Sequence, residues 1–167
     1  MIRIIVIGSP GSGKSTLAKA LSNHLNLPLV HLDKLFWRDN WQCVSNKEFD
    51  LLLSKEVIKP QWIIDGNYNR NIEQRLKLCD TVIYLDFNRV RCLINAVKRT
   101  VNNYGRTRSD MGDNCPERLD LEFLKFIWDF NKNNRKNYYK ILNELSDKKV
   151  VILKNHKQVN EFLQGCI

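Results

Sequence analysis

The sequence predicts an α/β fold in which five short apolar strands lie parallel in one sheet, with helices on both faces. Three observations carry this expectation. Strand-like and helix-like segments alternate regularly with short connections. The first strand-to-helix junction, Gly8-Ser9-Pro10-Gly11-Ser12-Gly13-Lys14-Ser15-Thr16, follows the apolar run Ile2-Arg3-Ile4-Ile5-Val6-Ile7 and fits the spacing G-x-x-x-x-G-K-[ST]. Polar groups stand where the later strands end, at Asp33, Asp65, Asp86 and Lys154-Asn155-His156, and ligands of open parallel sheets collect outside the carboxyl ends of the strands.

In the junction, Gly8 opens the turn, Gly13 lets backbone amides approach a phosphate, Lys14 places a cation there and Ser15 offers its hydroxyl to Mg²⁺. Successive N–H groups and the positive end of the following helix complete a polyphosphate site. Residues 8 to 16 therefore predict nucleotide binding and the P-loop NTPase class.

Taken in order, the first helix runs broadly from Lys14 to Leu25, and Leu27 to Asp33 reads as a turn and a short buried strand ending at a carboxylate, with Pro28 at its start. Lys34 to Trp41 is aromatic without a clean period, a loop or short helix near the strand end. Ser45, with Glu48 three residues on, caps a helix to about Ile58 that turns Phe49, Leu52, Leu53 and Ile58 inward, and Pro60 closes it. Trp62-Ile63-Ile64-Asp65 is the third strand, and a helix with Ile72, Leu76 and Leu78 leads to the fourth, Thr81 to Asp86. Asn88 caps the next helix, whose Val90, Leu93, Ile94, Val97 and Val101 follow the 3.6-residue period. The segment from Asn102 to Pro116 is polar, basic and turn-rich, a long functional loop. A long helical stretch follows, with Leu119, Leu121, Leu124, Ile127 and Trp128 as core candidates, a candidate break at Asn131 to Asn134, and an end near Leu145. Lys148 to Leu153 is the fifth strand and Lys157 to Leu163 the last helix.

The 167 residues, 43% of them hydrophobic, suit a single domain over 1–167 with a lid segment at about 102–118. The net charge of +9 fits an anionic partner such as a nucleotide, polyphosphate or nucleic acid, and, being scattered along the chain, also fits a solvated basic surface. Cys43, Cys79, Cys92, Cys115 and Cys166 are odd in number and contain no C-x-x-C pair, which points away from a disulfide framework or a zinc site. No apolar stretch approaches the roughly 18 residues of a membrane span, and the N-terminal run reads as a core strand and not as a signal peptide. A reduced, cytoplasmic protein is expected.

Phosphoryl transfer needs charge neutralisation and water exclusion more than covalent help. Asp65 closes its strand as a metal-binding carboxylate would, directly or through water, or else as a helix-start Asp. Asp33 is the candidate to accept a hydrogen bond or proton from an acceptor hydroxyl, to join the metal shell, or simply to form a turn. Arg106 and Arg108 lie in the long loop and Arg99 at its base, where a closing lid would bring them to the phosphates, unless the loop is only a solvated basic segment. Trp37, Trp41, Asn67, Tyr68 and Arg70 are candidates for an acceptor pocket, with plain packing the alternative for the two tryptophans. His24 and His31 read as structural, and His156 as either a nucleotide-base contact or a surface residue.

Four stretches together resemble the bacterial DNA topology modulation proteins, a group similar to adenylate kinases and other small nucleoside or nucleotide kinases. They are residues 7 to 16, His31-Leu32-Asp33-Lys34-Leu35-Phe36-Trp37, Trp62-Ile63-Ile64-Asp65-Gly66-Asn67-Tyr68 and Cys115-Pro116-Glu117-Arg118-Leu119-Asp120. The resemblance covers nearly the whole chain, and the second and third stretches are far more specific than the phosphate loop. It implies strand order 2-3-1-4-5, ATP as phosphoryl donor, Asp65-Gly66 as the counterpart of the Asp-Gly ending the third strand of adenylate kinases, and Arg99 as a lid-base arginine. The Pro-Arg that follows in adenylate kinases is replaced by Asn67-Tyr68-Asn69-Arg70, so AMP is not carried over as acceptor. Cys115 stands alone where zinc-bearing lids have four ligands. Two classes of function follow: an ATP-dependent kinase of a small-molecule acceptor, or a nucleotide-dependent regulator that contacts DNA through its basic surface. No DNA-binding motif supports the second.

Overall fold

The computed structural model describes residues 1–166. Its main sheet contains β1 (Arg3–Gly8), β2 (Leu29–His31), β5 (Trp62–Asp65), β6 (Thr81–Leu85) and β7 (Lys149–Leu153), hydrogen-bonded in the order β2-β5-β1-β6-β7 and parallel throughout. Numbering only these five strands in chain order gives 2-3-1-4-5, the order the resemblance implies. The other two strands, β3 (Trp37–Arg38) and β4 (Gln42–Cys43), form a separate antiparallel hairpin.

The three central strands read as unbroken apolar runs because helices cover both faces. Alternate residues point to opposite sides, so Ile5, Ile7, Trp62, Ile64, Val82 and Tyr84 pack on one face against Phe49, Leu53 and Val57 of α3 (Asn46–Val57), Ile72 and Leu76 of α4 (Ile72–Leu78), and Phe130, Tyr138 and Leu142 of α6 (Leu121–Asn143). Ile4, Val6, Ile63, Ile83 and Leu85 pack on the other, against Leu17, Ala18 and Leu21 of α1 (Lys14–Leu25) and Cys92 and Ala96 of α5 (Arg89–Asn103). The last helix, α7 (His156–Gln164), follows β7.

Several expectations change. The second strand stops at His31, and Asp33 belongs to the short helix α2 (Leu32–Phe36). Ile58 is 75% exposed, and Val57 completes the inward stripe Phe49, Leu53, Val57 at four-residue spacing. Leu78 reaches the surface and Cys79 takes the core position. On α5 the apolar period misleads: Val90, Ile94 and Val101 are exposed, while Cys92, Ala96 and Thr100 are buried. Only small side chains fit at positions 92 and 96, because the helix lies directly on the phosphate loop there; a Cβ on Gly11 would stand 2.1 Å from the Cys92 carbonyl oxygen.

Nor does α6 break at its asparagines. Asn131 donates to the Phe87 carbonyl and Asn134 to the Phe130 carbonyl, both at 3.0 Å, so the polar run fastens a continuous 23-residue helix. Of the core candidates, Ile127 is buried, whereas Leu119, Leu121 and Trp128 face out. Asp86 also belongs to this attachment, accepting from Arg135 Nη2 and Tyr139 Oη at 2.8 Å each. Among the described residues, no helix is long and apolar enough to cross a membrane.

Candidate active site

The phosphate loop leaves β1 and enters α1 through Gly13, which adopts φ +92 as the N-cap with open space around its missing Cβ. No side chain caps this helix, so its first N–H groups are left for an anion. The loop is held from two sides and by one bond of its own. Asn95 of α5 donates to the Gly11 carbonyl at 3.0 Å, Ser12 N donates to Ser9 O at 3.1 Å, and the Asn67 amide both accepts from Gly8 N at 3.0 Å and donates to Gly8 O at 2.9 Å. Lys14 Nζ rests on the Ser9 carbonyl at 3.0 Å. Enclosure in the cleft floor pulls its pKa down, against the raising influence of Asp65 and Asp33.

Asp65 ends β5 opposite His31, and His31 Nδ1 lies 2.9 Å from Asp65 Oδ2. The other oxygen, Oδ1, is buried without a hydrogen-bond partner, as is Ser12 Oγ. Asp33 accepts from the Tyr68 hydroxyl at 2.8 Å. Burial raises the Asp33 pKa, with Asp65 adding to the effect, and the Tyr68 hydrogen bond, Lys14 and Arg108 acting against it. The Tyr68 phenol is itself driven up by burial and by Asp33, so it remains a donor.

The segment expected as a lid contributes Arg108, Asp110 and Glu117 to the lining of this cleft. Arg108 Nη1 donates to both oxygens of Asp110, at 2.9 and 2.7 Å. Burial would raise the Asp110 pKa, but Arg108 and a hydrogen bond from Ser15 bring it below the usual value. Glu117, 5% exposed, receives Arg108 Nε at 2.6 Å and Arg99 Nε at 3.3 Å on Oε1, and its Oε2 accepts from Thr100 Oγ1 at 3.1 Å. Neither Nε–H is aligned for a hydrogen bond, so charge attraction holds the pair.

The lid is also joined to the β3–β4 hairpin. Asn40 N donates to Asn114 O at 3.1 Å, Trp41 Nε1 to Pro116 O at 3.2 Å, Asn114 Nδ2 to Asp39 Oδ2 at 3.1 Å, and Cys115 Sγ to Arg38 O at 3.1 Å. Gly112 presses against Trp37 so closely that a Cβ would lie 2.1 Å from its carbonyl oxygen. Trp37 and Trp41 meet edge to face at 5.6 Å, and the Arg118 guanidinium stands 5.7 Å over Trp41.

One cavity of about 1260 Å³ runs between these parts. It is lined by Pro10, Gly11, Gly13, Lys14, Ser15 and Thr16 of the loop, by Asp33, Asp65, Trp37 and Trp41, and by Arg99 and Arg108. Other expected residues lie elsewhere. Gly8, Ser9 and Ser12 shape the loop from behind, with Ser9 and Ser12 buried. Asn67 is spent on the Gly8 backbone and Tyr68 on Asp33, its ring stacked 4.8 Å from Phe49. Arg70 points outward to Asp50 and the Asn46 carbonyl, and Arg106 is exposed outside the cavity. His24 is exposed on α1, while His156 lines the cavity, its ring 5.0 Å from Phe87. Sequence reasoning passed over His31 as a partner of Asp65 and missed Asp110, Glu117 and Arg118. The stretches 31–37 and 115–120 held the signal for three of these four.

Comparison with known proteins agrees with this geometry. The family model described as "ATPase family associated with various cellular activities (AAA)" matches residues 4–85. Adenylate kinase of Wigglesworthia glossinidia brevipalpis is 48% identical over 46 residues, 28% of this chain and 22% of that protein. Adenylate kinase of Bifidobacterium longum is 30% identical over 105 residues, 51% of this chain and 56% of that protein. The matches thus span well under two thirds of either kinase. A crystal structure of shikimate kinase from Bacteroides thetaiotaomicron superposes with a TM-score of 0.57 over 98% of this chain and 95% of its own, at 16% identity. The chain therefore has the P-loop NTPase fold of small kinases, with stretches of adenylate-kinase-like sequence.

Proposed function

We propose that the chain is an ATP-dependent phosphotransferase that moves the γ-phosphate of ATP to a hydroxyl of a small-molecule acceptor. The observation that carries this reading is one cavity in which the phosphate loop, Asp33 and Asp65, Arg99 of α5 and Arg108 of the loop after it face one another. A mere nucleotide switch needs no second carboxylate with a raised pKa beside the phosphate site. Adenylate and shikimate kinases among the similar proteins support the same class of reaction.

The residues present fit Mg²⁺, which takes oxygen ligands and keeps phosphates and water in its shell: the Asp65 Oδ1 atom is buried and unpartnered, and the Ser15 hydroxyl lines the same cavity. Ser15 and Asp65 would hold the ion, which supplies charge neutralisation to the phosphates. The free N–H groups at Gly13 to Ser15 and the Lys14 ammonium orient the donor. Asp33, with its pKa raised by burial, takes the proton of the acceptor hydroxyl as that oxygen bonds to the γ-phosphorus and the bond to the ADP oxygen breaks. Tyr68 fixes the Asp33 carboxylate from behind. Arg99 and Arg108 neutralise charge on the transferring group and close the cleft to water. Trp37 and Trp41 wall the acceptor end.

The test is coupled ADP release from Mg-ATP, screened over nucleosides, nucleoside monophosphates and hydroxylated metabolites, with Lys14→Ala as blank. Acceptor-dependent release that Lys14→Ala abolishes supports the kinase. An active Lys14→Ala variant, or tight salt-sensitive DNA binding with no acceptor-dependent turnover, overturns it.

A further inference from the structure

We infer that Glu117 is a positioning residue of this site: it gathers Arg99 and Arg108 by their Nε atoms, so that the outer nitrogens of Arg99 and the Nη2 of Arg108 are turned to the polyphosphate. The inference rests on the reading above that these two arginines act on the phosphates.

Arg99 belongs to α5 and Arg108 to the lid loop, two separate elements. Bringing their guanidinium groups together is unfavourable, and each is felt where it is most enclosed: burial, followed by Arg108, lowers the Arg99 pKa, and Glu117 acts against both. At a shared carboxylate oxygen the repulsion is offset, since opposite charges at 2.6 and 3.3 Å outweigh like charges further apart. The carboxylate is itself fixed. Thr100 holds Oε2, Glu117 N donates to Arg106 O at 3.0 Å, and Gly105 N donates to Glu117 O at 2.9 Å. Contact through Nε leaves the fork end of Arg99 for bidentate recognition of phosphate oxygens, and leaves Nη2 of Arg108, whose Nη1 is held by Asp110.

The lid contains its own comparison. Arg106 lies two residues from Arg108, makes no ion pair among the described residues, and is exposed outside the cavity; Arg108, in contact with Glu117 and Asp110, faces into it. Lid placement alone therefore does not aim an arginine at the phosphates.

The sign of one measurement separates positioning from plain electrostatics. Removing a negative charge near a polyphosphate site should tighten Mg-ATP binding if the charge merely repels the ligand. If Glu117 positions the arginines, Glu117→Gln should weaken Mg-ATP binding by calorimetry about tenfold, while the melting temperature shifts little. Arg108→Ala should weaken it by a similar factor, and the double variant should lose clearly less than the product of the two factors, because both changes remove the Arg108 contact and only the positioning of Arg99 is lost in addition. Tighter or unchanged binding in Glu117→Gln, or multiplying losses in the double variant, overturns the inference. An Arg108→Ala variant with normal affinity would instead sink the underlying role of the lid arginines. Should Glu117→Gln fail to fold, Thr100→Val, which frees Oε2, is read in the same way, with a loss of about threefold expected.

Discussion

His31 and Asp65 are register partners on adjacent strands, and the His31 Nδ1 atom lies 2.9 Å from Asp65 Oδ2. The imidazole occupies one carboxylate oxygen and thereby fixes the direction of the other, Oδ1, which is buried and unpartnered. A group that orients a metal-binding carboxylate typically changes metal affinity by about 10–100-fold when removed. Asp65→Asn should raise the Mg²⁺ concentration for half-maximal turnover by roughly 100-fold, and His31→Phe by about tenfold. Titration of ADP release against Mg²⁺ checks this, and an unchanged requirement in Asp65→Asn would remove Oδ1 from the metal shell.

Two glycines of the phosphate loop should respond differently to one added methyl group. At Gly11, φ is +78 and the new Cβ would strike the Cys92 carbonyl oxygen at 2.1 Å, a backbone atom that cannot give way cheaply. At Gly13, φ is +92 but nothing lies within 4 Å, which leaves only a conformational strain of about 1–2 kcal/mol. Gly11→Ala should unfold at least 10 °C below the parent or fail to accumulate, on the order of 3 kcal/mol or more. Gly13→Ala should melt within a few degrees of it.

Arg75 is fully buried and donates to the carbonyls of Gly66, Asn67 and Tyr68, just after the strand that delivers Asp65. Burial pulls its pKa down to about 10, so it is still charged at neutral pH. Arg75→Met keeps much of the volume and leaves the carbonyls unsatisfied, for a loss of about 3 kcal/mol or roughly 10 °C of melting temperature. A melting temperature equal to that of the parent protein would mean that these carbonyls find other partners.

Asp80 provides a pH-dependent prediction far from the cavity. Burial alone would raise its pKa, but the Thr81 hydroxyl and the amides of Ile2 and Arg3 outweigh burial and lower it. A pKa depressed by folding stabilises fully above the unfolded carboxylate value of about 4 and ceases to do so as pH falls through the folded value. Asp80→Asn should therefore lower stability at pH 7, by no more than about 1 kcal/mol because solvent screens this partly exposed carboxylate, and the gap should close as both proteins are taken below pH 4. Urea melts across that range give the comparison; a gap that persists in acid would assign the effect to shape instead of charge.

What the sequence revealed was set by local chemistry. The phosphate loop, the central strands and the caps at Ser45 and Asn88 depend on near neighbours, and each is where its residues predicted. The errors arose where a distant contact decided the outcome. Cys92 and Ala96 face inward because α5 must approach Gly11, and Thr100 because it meets Glu117, which no period within the helix can announce. The asparagines of α6 looked like a break until Phe87 and Asn69 supplied partners. Arg106 and Arg108 have the same residue type in the same loop, and the carboxylates of Asp110 and of Glu117, the latter folded in from nine residues beyond Arg108, distinguish them. Asn67 carries the most compact lesson: a polar residue beside a candidate metal ligand serves the Gly8 backbone instead of a ligand.

The joining of lid and hairpin gives the molecule an internal optical reporter. Because the Trp41 indole N–H donates to the Pro116 carbonyl, the lid cannot lift away from the hairpin without that N–H exchanging its protein partner for solvent, a change to which indole emission is sensitive. Trp62, by contrast, is sealed in the core with its N–H on the Val57 carbonyl and would serve as a constant background. With Trp37 and Trp128 replaced by phenylalanine, the emission of the unlabelled chain would follow the separation of these two walls in real time.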